Sequence, residues 1–438
     1  MPPSAAHGEP IMRRLTTAWT MSGVILYLLA PRIAPGVLVL CAVAPTLWYR
    51  AAGGKLAWHR PSRVFVLLAA AGLYMLINGT WSLDPTSAYS EIAWYLVSIA
   101  ALYVTLSALR AIPAEVLRAM AVGFIAGMIL GGAFLCFEAF SEQLVHRTLL
   151  SYVPAWAPNP RDMRMEAGSV SYLAPYLLNR STTALAVLLW PAALTLNSLN
   201  VSSRKQAMLR LGLGLAVAAI FRSTHATAKI ALIGSAASFA VFWISPKLAR
   251  RLTITGWIAA TLLVIPTAML AYANQLYLAN WLDNSARHRI VIWGYTSEQI
   301  TKAPVLGAGI STARALNNSG DLNTPRAPGT NYPLSTGWHS HNGYLQAWYE
   351  TGAVGALLLL WFGVAVLRSM ASAPAEAEPY LLAAFVSCAL VAGSSFSLWA
   401  PWFMASFGIC AVFAVLGAEL VGRRSAPKSG MGPKLIRE

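Results

Sequence analysis

The chain has 438 residues, of which 57% are hydrophobic and only 11% charged, and its mean hydropathy is +0.56. Because soluble domains carry about 25% charged residues, this composition excludes a soluble globular protein and predicts an all-α polytopic membrane protein. The net charge of +16 at pH 7 is explained by membrane topology and by attraction to the anionic lipids of the bilayer, so we expect no nucleic-acid partner.

Apolar windows of roughly 17–25 residues predict about twelve transmembrane helices in a single transmembrane domain, 1–438. The predicted spans are 16–31, 34–49, 64–81, 90–108, 116–140, 178–198, 208–221, 225–245, 252–273, 343–367, 379–397 and 400–421.

The basic residues fall mainly on one side of this map. With the N-terminus in the cytoplasm and an even number of spans, most of the 32 lysines and arginines lie on the inner side, as the positive-inside rule requires. Both termini are therefore predicted to be cytoplasmic, and residues 423–438 form a basic cytoplasmic tail. The outer side carries two long loops, 141–177 and 274–342, and the second lies between the ninth and tenth spans.

The loop 274–342 is the longest polar stretch of the chain, and its order of residues suggests two parts. A helix is predicted over 286–302, followed by coil rich in glycine, asparagine and proline. Arg289 and Trp293 fall on or near one face of that helix. We expect the helix to lie flat at the level of the lipid headgroups, with Trp293 as its anchor.

Ionisable residues at the outer ends of the spans are candidate functional groups, because charges near the hydrocarbon region are unfavourable. Each one alone can be a side chain that reaches to the interface or a structural ion pair. As a group on one side of the membrane they fit an anion at the outer leaflet better. The cations are Arg180, Arg222, Lys229, Arg287 and Arg289, and His225, Glu91 and Glu138 lie on the same side.

His339 and His341 stand directly before the span 343–367. They can serve as half of a metal site, as hydrogen-bonding groups at a helix start, or as a neutral general base near pH 7. We favour the base and leave open which histidine it is. The four cysteines fall inside predicted spans, and no further set of ligands has the spacing of a metal site. Nucleotide-binding motifs are also lacking, so we predict no metal and no cofactor.

Three short motifs in the region 285–355 resemble those of a known family. His341-Asn342 is followed after nine residues by Gly352, Arg289 precedes Trp293 by four positions, and a Pro-x-x-Gly-x-Gly element occupies 304–309. In this order before a span, they resemble the O-antigen ligase superfamily, which also includes O-antigen polymerases and pilin O-glycosylating ligases. The resemblance is strongest to the O-antigen ligase.

The resemblance implies a membrane-embedded, GT-C-like glycosyltransferase in the bacterial inner membrane, with its active site on the periplasmic side. Its donor would be an undecaprenyl-diphosphate-linked glycan and its acceptor a sugar hydroxyl of the lipid A core. His341 would be the base, with His339 as a competitor. Arg289 would bind the diphosphate, and Arg180 matches a basic residue that relatives place at the start of the corresponding span.

Several points stay open within this resemblance. Many relatives have a Ser-Arg pair where this chain has Arg222 to Lys229, so either cation can fill that position. Direct displacement assisted by a single base would invert the anomeric centre. An O-antigen polymerase would use the same donor. A transporter or flippase of anionic lipid is the alternative from another class, although transporters usually show internal repeats and charges near the midplane.

Overall fold

The computed structural model of the protein describes residues 5–51, 60–153, 159–318 and 324–425. In these ranges the chain forms sixteen α-helices and one two-stranded sheet with strands β1 (Met163–Glu166) and β2 (Ser169–Leu173). The helices are α1 (Ala5–Leu29), α2 (Ala34–Ala51), α3 (Arg63–Asn78), α4 (Pro85–Ala111), α5 (Ala114–Phe140), α6 (Leu144–Tyr152), α7 (Asn179–Ser198), α8 (Ser203–Arg222), α9 (Ala226–Ile244), α10 (Pro246–Leu262), α11 (Val264–Ala273), α12 (Asn284–Ile300), α13 (Thr312–Asn318), α14 (Gly343–Met370), α15 (Glu378–Gly393) and α16 (Pro401–Ser425).

The predicted fold class, an all-α polytopic membrane protein, is confirmed. Each predicted span overlaps a helix, and six helices within the described ranges are long and apolar enough to cross a membrane: α3, α4, α5, α9, α14 and α16. Together α10 and α11 make a seventh, which bends by 62°. Pro266 lies in the first turn of α11 and has no N–H to donate to the preceding turn, which accounts for the break. The number of twelve spans stays a prediction.

The centre of the bundle is α7, most of whose residues are buried. It contacts α5, α8, α15 and α16. Glycines allow close approach elsewhere in the bundle. A Cβ atom at Gly123 of α5 would lie 2.4 Å from the Thr17 carbonyl oxygen of α1, which is the small-residue contact typical of membrane helices.

A break in α14 lets this helix pack against the Pro-x-x-Gly-x-Gly segment, 304–309. Gly352 has φ +63° and ψ −164°, so the helix is interrupted there. The backbone carbonyl groups just before the break accept hydrogen bonds from the Pro-x-x-Gly-x-Gly segment. Ala308 N donates to the Tyr349 carbonyl and Gly309 N to the Glu350 carbonyl, both at 2.9 Å. A Cβ at Gly352 would lie only 2.3 Å from the Val305 oxygen. The motif glycines thus allow two backbones to dock against each other.

The loop 141–177 contains α6 and a β-hairpin, which the purely helical prediction lacks. Ala167 and Gly168 turn the chain with φ +47° and +78°, the backbone of a tight two-residue hairpin. The carboxylate of Glu138, at the end of α5, accepts hydrogen bonds from Val145 N at 2.8 Å and His146 N at 3.1 Å. Glu138 is therefore a helix cap for α6, so its position has a structural explanation.

The predicted cytoplasmic tail, 423–438, begins inside α16. Arg423 donates to the carbonyl oxygens of Leu109, Arg110 and Ile112 at the end of α4. Residues 426–438 lie outside the described residues.

Candidate active site

The ends of several helices meet at one short segment, residues 394–400, which we call the α15–α16 linker. Thr227 Oγ1 at the start of α9 donates to the Ser394 carbonyl at 2.6 Å. Arg289 Nη1 of α12 donates to the carbonyl and Oγ of Ser394 at 3.0 and 3.1 Å. His341 Nδ1, just before α14, lies 3.0 Å from the Ser395 carbonyl oxygen. The linker thus joins residues that are far apart in sequence.

Sequence reasoning missed this linker. The predicted spans 379–397 and 400–421 leave almost no connection between them, because the segment has no charged residue to mark it. The signal that could have indicated it is the polar run Gly393-Ser394-Ser395, which interrupts an apolar stretch before Pro401.

The contact of His341 with the linker determines which of its nitrogens carries the proton. A carbonyl oxygen can only accept, so Nδ1 must donate its hydrogen to Ser395, and Nε2 keeps a free lone pair. Burial and the nearby positive charge of Arg289 lower the pKa of His341 to about 4, and the Ser395 bond opposes this in part. The imidazole is therefore neutral at pH 7 and can accept a proton at Nε2.

The backbone of His341 is unusual as well. Its φ of +53° lies in the left-handed region, which only glycine adopts without strain. The next residue, Asn342, caps α14 by accepting hydrogen bonds from Tyr344 N and Leu345 N, each at 3.1 Å. The His-Asn pair therefore combines a sharp turn, which directs the imidazole to the linker, with a helix start.

His339 packs beside His341, with ring centroids 4.1 Å apart. His339 Nδ1 accepts the backbone N–H of His341 at 3.1 Å, so its Nδ1 lone pair is already used. Burial, together with the neighbouring His341 and the charge of Arg289, lowers the pKa of His339 to about 2. The two histidines thus have different positions, and the free lone pair belongs to His341.

The helix α12 contributes two groups to this region from one face. Arg289 reaches Ser394, and one turn later Trp293 Nε1 donates to the Ser340 carbonyl at 2.8 Å. Trp293 is therefore half-buried against the protein, and its place among the lipid headgroups stays a prediction. Within the described residues no carboxylate lies in ion-pair distance of Arg289, so its charge is free to meet an anion.

Arg180 lies on another side of the linker. Its guanidinium carbon is 5.9 Å from the ring centroids of both Phe396 and Trp402. Its Nε is buried and has no hydrogen-bond partner among the described residues. A buried donor without a partner is unfavourable, so this guanidinium is also prepared for an anionic oxygen.

His225 lies between the linker and α7. Its Nε2 is 3.4 Å from Ser395 Oγ, and its Nδ1 is 3.3 Å from Thr183 Oγ1. Burial and then the charge of Arg289 lower the pKa of His225 to about 4, so this ring is a neutral bridge between α7 and the linker.

The structure does not bring Arg222 and Arg287 to the linker. Arg222 is exposed and lies over the Phe140 ring, 5.7 Å from its centroid. Arg287 Nε donates to the Tyr277 carbonyl at 2.8 Å, which stabilises the loop before α12. Lys229 lies one helical turn after His225, and its side chain is half-buried. Of the five predicted cations, Arg289 and Arg180 are the ones with a recorded contact to the linker among the described residues.

A large apolar cavity of about 730 Å³ ends at the linker. It lies between α9, α10, α11 and α15, and most of its lining residues are apolar. Thr227, Asn342 and Ser394 are among its lining residues, so the cavity borders the start of α14 and the serine that Arg289 contacts. Among the residues that the structure describes, no group of three or more His, Cys, Asp or Glu could hold a metal ion.

The described residues thus form a polytopic helical bundle in which a neutral imidazole and two guanidinium groups without a carboxylate partner lie around the α15–α16 linker. Residues 177–360 match the family described as O-antigen ligase. A candidate polysaccharide ligase of Rickettsia felis is 27% identical over 243 residues, which are 53% of this chain and 56% of that protein. One from Rickettsia conorii is 27% identical over 135 residues, 30% of this chain and 32% of the relative.

Residues 177–360 are therefore similar to the O-antigen ligase family, which supports the resemblance predicted from the motifs. The matched region includes α7, both histidines and the break in α14, whereas the α15 wall of the cavity and the α15–α16 linker lie beyond it. The chain spans about half the length of the first of these relatives and about a third of the second.

Proposed function

We propose that the protein is an O-antigen ligase of the bacterial inner membrane. It transfers a glycan from undecaprenyl diphosphate to a sugar hydroxyl of the lipid A core, on the periplasmic side and without a metal ion. The observation that carries this proposal is the pair of contacts on consecutive linker residues: His341 is fixed by Ser395 with Nε2 free, and Arg289 is fixed by Ser394.

The chemistry needs one base and an anion site. The acceptor oxygen attacks the anomeric carbon, and its proton passes to Nε2 of His341. The bond between that carbon and the diphosphate oxygen breaks, and its electron pair leaves with the diphosphate. Arg289 and Arg180 bind this anion, because planar guanidinium groups match phosphate oxygens. Attack opposite the leaving group inverts the anomeric centre.

The bound donor also improves the base. Burial and Arg289 lower the pKa of His341 to about 4, which makes the imidazole a weak proton acceptor. A diphosphate on Arg289 offsets the positive charge and raises the pKa of the ring toward its ordinary range. The apolar cavity accommodates the polyprenyl chain, so that its diphosphate arrives at the linker end.

The test is reconstitution of the purified protein in proteoliposomes with a polyprenyl-diphosphate glycan and a lipid A core acceptor, in the presence of chelator. We expect an acceptor ladder on gels from the wild type and none from His341→Ala, with both proteins equally folded. A ladder from His341→Ala, or a requirement for a divalent ion, would refute the mechanism. A second arm offers only lipid-linked glycan, and chain growth there would assign the protein as a polymerase instead.

A further inference from the structure

Glu350 is a buried carboxylate that the proposed chemistry does not use. It is fully buried in α14, two residues before the break at Gly352. Its Oε1 accepts the backbone N–H of Ala313 at 3.0 Å, and its Oε2 accepts hydrogen bonds from Gln346 Nε2 at 3.1 Å and from Trp399 Nε1. No cation pairs with it in the described part of the chain. A buried carboxylate without a cation is stable only with such donors.

Two of these donors lead directly to the α15–α16 linker. Trp399 is itself a linker residue. Gln346, one turn before Glu350, accepts the Leu398 N–H at 2.8 Å through Oε1, and its Nε2 donates to Ser397 Oγ at 3.1 Å. Glu350 and Gln346 thus hold three consecutive residues of the linker, 397–399, against the face of α14.

The other end of the same linker holds the reactive groups. Ser394 and Ser395 accept hydrogen bonds from Arg289 and His341, and only Phe396 separates them from the residues held by Gln346 and Glu350. His341 stands directly before α14, the helix that carries Gln346 and Glu350. The contacts therefore form a closed ring from the imidazole through the linker and back along α14.

We propose that Glu350 is a positioning residue: by holding Trp399 and Gln346 it fixes the linker carbonyls that orient His341 and Arg289. It touches neither substrate. The inference rests on the proposed function for its effect on transfer, whereas the orientation of His341 can be measured without any transfer.

A carboxylate is needed at position 350 because all three of its partners are donors. Glutamine would direct an amide N–H₂ at one of them, so Glu350→Gln breaks at least one bond. Trp399→Phe removes a single donor and keeps an aromatic ring. Trp348→Phe is its matched control: Trp348 Nε1 donates to the Thr261 carbonyl at 2.8 Å, on the side of α14 that faces α10.

The first measurement is steady-state transfer by the full-length protein in proteoliposomes. We expect Glu350→Gln and Trp399→Phe to lower kcat by roughly ten- to a hundred-fold, the scale of a small misplacement of a reacting group. The KM for the acceptor should stay within about twofold of the wild type, and Trp348→Phe should keep kcat. Equal losses in Trp399→Phe and Trp348→Phe, or unchanged kcat in both Trp399→Phe and Glu350→Gln, would overturn the inference.

The second measurement is the rate at which diethyl pyrocarbonate modifies His341, read by mass spectrometry of the digested protein. Trp399→Phe should speed the modification several-fold relative to the wild type and Trp348→Phe, because the linker no longer holds the ring. Identical rates in all three proteins would overturn the inference even if transfer is seen. If the wild type shows no transfer, the proposed function fails, and the modification rate still decides the role of Glu350.

Discussion

The charge of Arg289 should control the pH at which the protein loses activity. Burial and then Arg289 lower the pKa of His341, and removing the charge in Arg289→Gln should raise that pKa. The Arg289 and His341 nitrogens each lie 3.0 Å from carbonyl oxygens of adjacent residues, so they are at most roughly 12 Å apart. At an effective dielectric constant near 20, the repulsion between Arg289 and a protonated His341 at this distance is about 1.4 kcal/mol or more. That energy corresponds to a tenfold change in the proton affinity of His341.

The assay is the pH dependence of kcat/KM, which reports groups of the free enzyme. Its acid limb should move up by roughly one pH unit in Arg289→Gln, although overall activity is lower because donor binding is weakened. Arg289→Lys keeps the charge, so its acid limb should stay with that of the wild type. In the wild type the limb for kcat should lie at higher pH than the limb for kcat/KM, because bound diphosphate offsets Arg289. An acid limb of Arg289→Gln at the wild-type pH would refute the electrostatic argument.

Three further predictions concern stability and the cavity. Gly352→Ala should prevent correct folding, because φ is +63° and a Cβ atom would lie 2.3 Å from a carbonyl oxygen. Gly23→Ala is the control: with open space around Gly23, it should not lower the yield or the midpoint of thermal unfolding in detergent. Ala389→Phe fills part of the cavity, so it should raise the KM for a long-chain polyprenyl donor but not for a short-chain analogue; equal effects on both would argue against a lipid chain there. In the folded protein the pKa values of His225 and His341 are lowered to about 4, so the unfolded chain binds protons first as the pH falls. Stability should therefore fall from about pH 6.5 toward pH 4, and unfolding midpoints should show a smaller fall in His225→Gln.

The parts of the site that sequence could predict are those with a chemical signature. His341 and Arg289 stand in spaced motifs, and Arg180 is a charge at the start of an apolar stretch, so each can be singled out. Sequence position does not give the direction of a side chain, however. Arg287 lies only two residues from Arg289, yet it turns to Tyr277, because residues two apart point to different sides of a helix.

The parts that sequence could not predict act through backbone atoms. The linker contributes carbonyl oxygens of Ser394 and Ser395, and every residue has a carbonyl. The break at Gly352 is equally hidden, since glycine is common in membrane helices. Apolar length predicts where helices lie, but the bend between α10 and α11 depends on how Pro266 is accommodated in the surrounding bundle.

The left-handed backbone at position 341 lowers the stability of the fold at the residue whose imidazole the proposed chemistry needs. A side chain in that conformation destabilises the native state by about 1 kcal/mol or more, and glycine at the same position would remove the penalty together with the imidazole. His341→Gly would also lose the hydrogen bond to Ser395 and the packing against His339, so the relief of backbone strain and the lost contacts act in opposite directions. Such a variant would leave an empty space of imidazole size, so free imidazole in the buffer becomes a candidate to restore the missing chemistry.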